Sequence, residues 1–209
     1  MTVSDLDISM KTKKEKLIAA LKRHKGILRF SAMLKAGFHR VEIKSLLESG
    51  EIERIGRGIY RLKNSPPLSN PDLVTVALQA AKGVVCLISA LSYHEATDEI
   101  PHSIYMAIPR GVRANKIDYP PVKYFRYAPE VWKNGIETHI IDGHSVKIYS
   151  LAKTVADCFR YRNKIGLDVA RQALKIAVTE KKIKPVEIMR FAKICRVDKI
   201  IRPYVESLL

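Results

Sequence analysis

Residues 12–62 carry three short helical patterns followed by a two-strand hairpin, and this order restricts the fold more than any other feature of the chain. Apolar residues recur at helical spacing in TKKEKLIAALKRHKG, SAMLKAG and FHRVEIKSLLESG. Thr12 and Glu15 predict a capping box at the start of the first helix. Gly37 permits a tight turn between the second and third helices. Helix, short helix, glycine turn and helix is the order of a helix-turn-helix, whose last helix enters the DNA major groove.

The next segment, EIERIGRGIYRL, predicts the wing that completes such a module. Gly56 and Gly58 are expected to supply the positive φ angles of a short turn. Ile52 and Ile55 on one strand are expected to pack with Ile59 and its neighbours on the other. The sequence therefore predicts an N-terminal winged helix-turn-helix.

The polar face of the third helix and the wing predict the DNA-contacting surface. The apolar face of that helix is expected to bury Ile43, Leu46 and Leu47, leaving Glu42 and Glu48 on the opposite face. On that opposite face, base edges or nearby phosphates would be contacted by His39, Arg40, Lys44 and Ser45. Around the hairpin turn, the DNA backbone would be held by Arg54, Arg57 and Arg61.

The chain is strongly basic, which favours a polyanionic partner. Its formal net charge is +16 over 209 residues. No apolar run approaches the roughly 20 residues that span a bilayer. The first ten residues, MTVSDLDISM, are acidic and lack the apolar stretch of a signal peptide. We therefore expect a cytoplasmic protein whose partner is double-stranded DNA and not a membrane.

A proline-rich stretch, KNSPPLSNP, predicts a domain junction after the wing. The expected division is a DNA-binding domain over residues 1–64, a linker over 65–71 and a second domain over 72–209. In the second domain, strand patterns come first and helical patterns last. This order predicts a mixed α+β domain, and hence an α+β fold class for the chain, in place of a doubly wound parallel sheet.

No catalytic, metal or cofactor site is predicted. His94 begins an H-E sequence that lacks the second histidine of a zinc helix, so we expect a partly buried packing residue with a hydrogen-bonded polar end. His139 and His144 flank a predicted Asp142-Gly143 turn, and exposed hairpin histidines are favoured over metal ligands. Glu137 and Asp142 leave a nuclease open as a minor alternative.

Asp157 lies in an otherwise apolar helix, VADCF. A carboxylate there is costly unless it is paired, and Lys153 lies one helical turn before it. We therefore predict a structural ion pair. The three cysteines, Cys86, Cys158 and Cys195, are widely spaced in apolar segments and are expected to be buried reduced thiols.

Three parts of the chain resemble the AbiEi family of antitoxins from bacterial abortive-infection systems. They are Gly58-Ile59-Tyr60 in the wing, SALSYHEATDEIPHSIYMAIPR, and VKIYSLAKTVADCFRYRNKIGLDVARQAL. The resemblance implies an antitoxin of a type IV toxin–antitoxin pair, whose winged helix binds repeats in its own promoter and represses the operon. It also implies a C-terminal domain that counters a nucleotidyltransferase-like toxin, with or without a stable complex. His39 departs from the family pattern, in which the reading helix more often starts with Ser or Thr.

Two other functions remain compatible with the residues. One is a plain winged-helix regulator whose second domain binds a ligand or mediates assembly. The other is a nuclease or RNA-modifying enzyme that the winged helix targets to DNA. A neighbouring nucleotidyltransferase gene would favour the antitoxin over the plain regulator. Metal-dependent cleavage activity that is lost on Glu137→Ala would favour the nuclease.

Overall fold

The computed structural model describes residues 3–208, whose side chains are described from residue 13 onward. The chain forms two compact units. The first unit contains the chain up to Gln79 together with Ile117–Tyr119 and Ile140–Ser145, and the second unit contains the remainder. The stretch 65–71 therefore lies inside the first unit. The expected division into a first domain, a linker over 65–71 and a second domain stays a prediction.

The first unit has the winged helix-turn-helix order. Its helices and strands are α1 (Val3–Arg23), β1 (Ile27–Arg29), α2 (Phe30–Lys35), α3 (Arg40–Glu48), β2 (Ile52–Gly56), β3 (Ile59–Leu62) and α4 (Pro71–Gln79). The strands form an antiparallel sheet in the order β1-β3-β2. The capping box predicted at Thr12 is wrong, since α1 already begins at Val3 and runs through that position.

The core of this unit forms where helices α1 to α3 cover one face of the sheet. Its buried residues are Leu17, Leu21, Leu28, Met33, Ile43, Leu46 and Ile52. Leu47 was expected among them, but 39% of its surface is exposed. It follows Leu46 by one residue, or about 100° around the helix, so the two side chains leave α3 in different directions.

The hairpin contains a β-bulge that the sequence did not predict. Arg54 lies opposite Tyr60 and Gly56 opposite Ile59, so Ile55 is an extra residue on β2. The bulge leaves Ile55 only half-buried. Gly58 has the expected positive φ of 69°, but Gly56 does not. A Cβ at Gly56 would lie 2.9 Å from Nε2 of the Gln79 side chain on α4, so the end of that flexible side chain would have to shift.

The second unit is built from a sheet followed by helices. Its elements are β4 (Val84–Val85), α5 (Leu87–Tyr93), β5 (Ile104–Pro109), β6 (Val122–Tyr127), α6 (Pro129–Trp132), β7 (Ile136–Ile141), β8 (His144–Tyr149), α7 (Leu151–Arg160), α8 (Arg162–Ile165), α9 (Leu167–Thr179), α10 (Pro185–Cys195) and α11 (Asp198–Glu206). The ends of β7 and β8 that meet at their turn, Ile140–Ser145, belong to the first unit. The strand order is β6-β5-β4-β8-β7. Strand pairs β5–β6 and β4–β8 are parallel, and β4–β5 is antiparallel.

The predicted α+β class and the order of strands before helices are confirmed. The turn between β7 and β8 has φ angles of 49° at Asp142 and 78° at Gly143, as a primed two-residue hairpin turn requires. None of the described helices combines the length and apolar composition needed to cross a membrane.

Helix α7 is the centre of the second unit, since all its residues from Leu151 to Phe159 are buried. Inside it, Lys153 Nζ lies 2.5 Å from Asp157 Oδ2, which confirms the predicted ion pair. Cys195 Sγ on α10 donates to the other carboxylate oxygen, Oδ1, at 3.2 Å. All three cysteines are buried free thiols, as expected.

Candidate nucleic-acid interface

The start of α3 is fixed by a buried carboxylate. His39 is the N-cap residue, and its backbone N–H donates to Glu42 Oε2 at 2.6 Å. Lys13 Nζ on α1 lies 3.6 Å from Glu42 Oε1. Glu42 is only 5% exposed, so its expected position on the DNA-facing side of the helix is wrong. A negative charge here stabilises the positive end of the helix dipole and ties α3 to α1.

Arg40 and the wing turn both contact Phe30, Arg40 at its ring and the turn at its backbone. The Arg40 guanidinium carbon lies 5.8 Å from the centroid of the Phe30 ring. The backbone N–H of Phe30 donates to Gly58 O at 2.8 Å. Phe30 therefore sets the spacing between the first residue of the reading helix and the turn of the wing.

The exposed face of α3 is more mixed than the sequence predicted. Lys44 is well exposed and lies 3.5 Å from Glu48 Oε1, an exposed ion pair of small energy. Ser45 is half-buried. Val41, which sequence reasoning did not select, is 63% exposed beside Arg40. An apolar side chain in that position is suited to contact with a thymine methyl group.

Two arginines of the wing are exposed to solvent. Arg57 lies in the two-residue turn between β2 and β3 and is exposed. Arg54 is exposed on β2, and its Nε donates to Gly56 O at 3.2 Å. Among side chains of residues 13–208, no carboxylate pairs with Arg40, Arg54 or Arg57. Their charges are thus available to phosphate groups.

Arg61 is placed differently from the other wing arginines. It pairs with Glu53 across the ladder, whereas Arg54 pairs with Tyr60. Directly opposed residues share a face, and successive residues alternate, so Arg61 and Arg54 lie on opposite faces of the wing. The Arg61 Nε donates to Ser65 Oγ at 3.1 Å. The structure therefore does not bring Arg61 into the group formed by Arg54 and Arg57.

The histidines considered as ligands have structural partners. His94 Nε2 lies 2.8 Å from Tyr149 O, and the ring is half-buried, which confirms its predicted packing role. His144 was expected to be exposed, but it is buried and its Nε2 lies 3.1 Å from His24 O. Burial lowers the pKa of both rings below the usual value.

The carboxylate of Asp142 also has structural partners. Its Oδ2 accepts hydrogen bonds from the backbone N–H and the hydroxyl of Ser69 at 2.8 and 2.9 Å. These bonds tie the hairpin turn to the stretch 65–71 within the first unit. The geometry gives Asp142 a positioning role and does not favour the nuclease alternative.

Comparison with known proteins identifies the same segment that carries the basic surface. No curated protein matches the chain. Residues 15–63, which run from α1 to the end of β3, match the family model described as "Transcriptional regulator, AbiEi antitoxin". The match confirms, for this winged-helix segment, the resemblance to AbiEi antitoxins that the sequence predicted.

Proposed function

We propose that this protein is the antitoxin and autorepressor of a toxin–antitoxin operon and that its first unit binds operator repeats in its own promoter. One observation carries the proposal. Exposed arginines that pair with no carboxylate among the side chains of residues 13–208 lie at the start of α3 and on the wing, inside the segment that matches a transcriptional-regulator family.

The proposed contacts follow from where each side chain lies. Arg40 is the candidate for a bidentate contact with guanine, because it is exposed at the first turn of the reading helix. The same helix would add contacts from His39, Lys44 and Ser45. Arg54 and Arg57 would bind phosphates, which fix the register of the protein on DNA without reading sequence. Arg61 would contribute least, since Ser65 already accepts its hydrogen bonds.

We assign the antitoxin activity to the second unit. Most of the sequence that resembles AbiEi antitoxins outside the wing lies in it, over residues 89–110 and 146–174. The functional partner would be a nucleotidyltransferase-like toxin in the cytoplasm. The second unit would act on that toxin without a catalytic step, metal or cofactor of its own.

A full-length Arg40→Ala/Arg57→Ala variant tests the proposal. Gel-shift titrations should show that the variant no longer binds the protein's own promoter. A random duplex is titrated alongside it for comparison. A promoter-reporter strain should show derepression, while a strain that expresses the neighbouring toxin gene should still be protected. Arg202→Ala, a change at an exposed arginine of α11, serves as the matched control. Unchanged promoter affinity in the double variant would overturn the assignment of the DNA-binding surface.

A further inference from the structure

The second unit contains a cleft of about 680 Å³ that the proposed function does not use. It lies where the ends of β5 and β6 approach α8 and the connection between α10 and α11. Its volume falls within the roughly 300–1,000 Å³ of typical small-molecule sites.

The charged side chains that line this cleft are all positive. Its charged side chains are Arg110, Arg126, Arg160, Arg162, Lys164 and Arg196, and no carboxylate lines it. Over the part of the chain whose side chains are described, none of these six cations forms an ion pair. Such a concentration of unpaired charge is unfavourable without an anion, and it attracts one.

Backbone carbonyls hold three of the arginines in place without neutralising them. Arg126 Nη1 donates to Val112 O at 2.8 Å, Arg160 Nη1 to Cys195 O at 2.7 Å, and Arg162 Nη1 to Phe159 O at 2.9 Å. Each guanidinium carries five donors, so several remain for a ligand. Pre-oriented guanidinium groups are well suited to bidentate contacts with phosphate oxygens.

One wall of the cleft is aromatic. Phe125 and Tyr161 pack edge to face with ring centroids 5.1 Å apart, and Tyr124 lies beside them. Lys164 Nζ lies 5.9 Å from the centroids of both the Phe125 and Tyr161 rings. Aromatic faces next to cations are the combination that proteins use to stack nucleobases while holding the adjoining phosphates.

Arg196 supplies a further, independent observation. It ends α10 in the left-handed conformation, with φ 58° and ψ 44°, where glycine is the usual residue. An arginine there carries backbone strain, and such strain is often retained at ligand-binding sites. In place of a glycine, this position therefore supplies the cleft with a cationic side chain.

We propose that this cleft binds a nucleotide, with its phosphates on the arginines and its base against the wall formed by Phe125 and Tyr161. The same chemistry is offered by a free nucleotide and by the phosphorylated end of a nucleic-acid strand. The site is separate from α3 and the wing and does not depend on the proposed promoter binding.

Isothermal titration of the full-length protein at physiological salt tests this site. The probes are ATP, GTP, adenosine and inorganic tripolyphosphate. At least one of the two nucleotides should bind more tightly than tripolyphosphate, and adenosine should bind weakly. Absence of binding by both nucleotides at millimolar concentration would overturn the proposal. Equal affinity for tripolyphosphate and the nucleotides would also overturn it, since the base would then contribute nothing.

Three variants locate the site. Arg126→Gln and Lys164→Gln should each weaken nucleotide binding about tenfold or more, because each removes a contact between opposite charges. Arg196→Gly should weaken binding similarly while maintaining or raising Tm, since glycine relieves the left-handed strain. Lys193→Gln, at an exposed lysine of α10 that does not line the cleft, is the matched control. Wild-type affinity in all three cleft variants would overturn the assignment.

Competition distinguishes the two sources of the ligand. A single-stranded tetranucleotide with a 5′-phosphate is titrated against bound nucleotide, alongside the same strand without the phosphate. If the phosphorylated strand displaces the bound nucleotide at a lower concentration than free nucleotide does, the preferred ligand is a strand end. If it does so only at a higher concentration, the preferred ligand is a free nucleotide. Either result supports the proposal when the cleft variants also weaken binding, because those variants place the ligand in this cleft.

Discussion

Lys153 Nζ and Asp157 Oδ2 lie 2.5 Å apart in α7, and neither side chain is exposed to solvent. Lys153 Nζ also lies 4.3 Å from the centroid of the Tyr149 ring. Burial raises the pKa of the Cys195 thiol to about 12, so this group remains protonated and donates to Asp157 at neutral pH. The pair is therefore held by a thiol from α10 and by an aromatic ring at the end of β8.

Removing one member of this pair should destabilise the second unit strongly. Asp157→Ala leaves a buried ammonium group without a partner, and the expected loss in free energy of unfolding is about 3–5 kcal/mol. Urea denaturation measures it. A Lys153→Met/Asp157→Leu double variant should lose less, because no charge then stays buried. A single variant as stable as wild type would contradict the structural role.

The two glutamates of α3 should differ in their effect on stability. Glu42→Ala removes a buried acceptor from the His39 amide and the Lys13 partner, and should lower the free energy of unfolding by about 1–3 kcal/mol. Glu48→Ala breaks only an exposed pair with Lys44 and should cost about 0.5 kcal/mol or less. Thermal unfolding of both variants makes the comparison, and equal effects would refute it.

Arg57 and Arg61 should differ in their contribution to DNA affinity. If Arg57 binds one phosphate, Arg57→Ala should reduce the salt slope of the logarithm of the binding constant by about 0.9. Its affinity loss should be similar for promoter and random DNA, because phosphate contacts carry no sequence information. Arg61→Ala should change the slope much less, since Arg61 is bound to Ser65. Binding titrations at several salt concentrations measure both slopes, and a larger effect at Arg61 would reverse the assignment.

The buried histidines should make stability depend on pH. Burial lowers the pKa of His94 and His144, so the unfolded chain binds protons more readily than the folded protein. Stability should therefore be fully present above about pH 6.5, the ordinary pKa of histidine, and should fall as the pH drops below it. Denaturant midpoints between neutral and mildly acidic pH measure this.

Histidine substitutions distinguish the effect of these rings on stability from the effect of carboxylates that are protonated at low pH. His94→Gln removes one of the two rings whose pKa burial lowers, and should flatten the pH dependence. His102→Gln changes an exposed histidine and should retain the wild-type profile. Identical profiles for wild type and His94→Gln would show that another group is responsible.

Two glycines with similar backbone angles should respond differently to alanine. Gly26 and Gly37 have φ angles of 84° and 88°. A Cβ on Gly26 would overlap Ser65 Cβ, whereas a Cβ on Gly37 would meet nothing within 4 Å. Both changes should cost about 1–2 kcal/mol of conformational strain, and Gly26→Ala should cost about 1–3 kcal/mol more. Melting temperatures of the two variants test the difference.

Local patterns in the sequence predicted the elements whose cause is local. The burial of Ile43 and Leu46 on α3, the glycine turn at Gly58 and the Asp142-Gly143 hairpin turn are set by neighbouring residues, and these predictions are confirmed. Strand β1 was missed because Ile27–Arg29 is too short to show alternation. It exists through its pairing with β3, more than thirty residues away.

The same distinction applies to the functional surfaces. Exposure of Arg40 and Arg54 follows from helical and strand periodicity, and exposure of Arg57 follows from its place in a turn, so all three were predictable. Burial of Glu42 depends on Lys13 from another helix and was not. The nucleotide cleft gathers side chains from residues 110 to 200, and no short sequence window contains it.

The bonds from Ser69 to Asp142 affect how this protein can be engineered. A gene fragment that ends at codon 79 encodes the whole winged helix but lacks Asp142 and His144, which belong to the same compact unit. Ser69 and the carbonyl of His24 would lose their partners in such a fragment. DNA specificity is therefore better transferred between relatives by replacing side chains on α3 and the wing than by exchanging the N-terminal part of the gene.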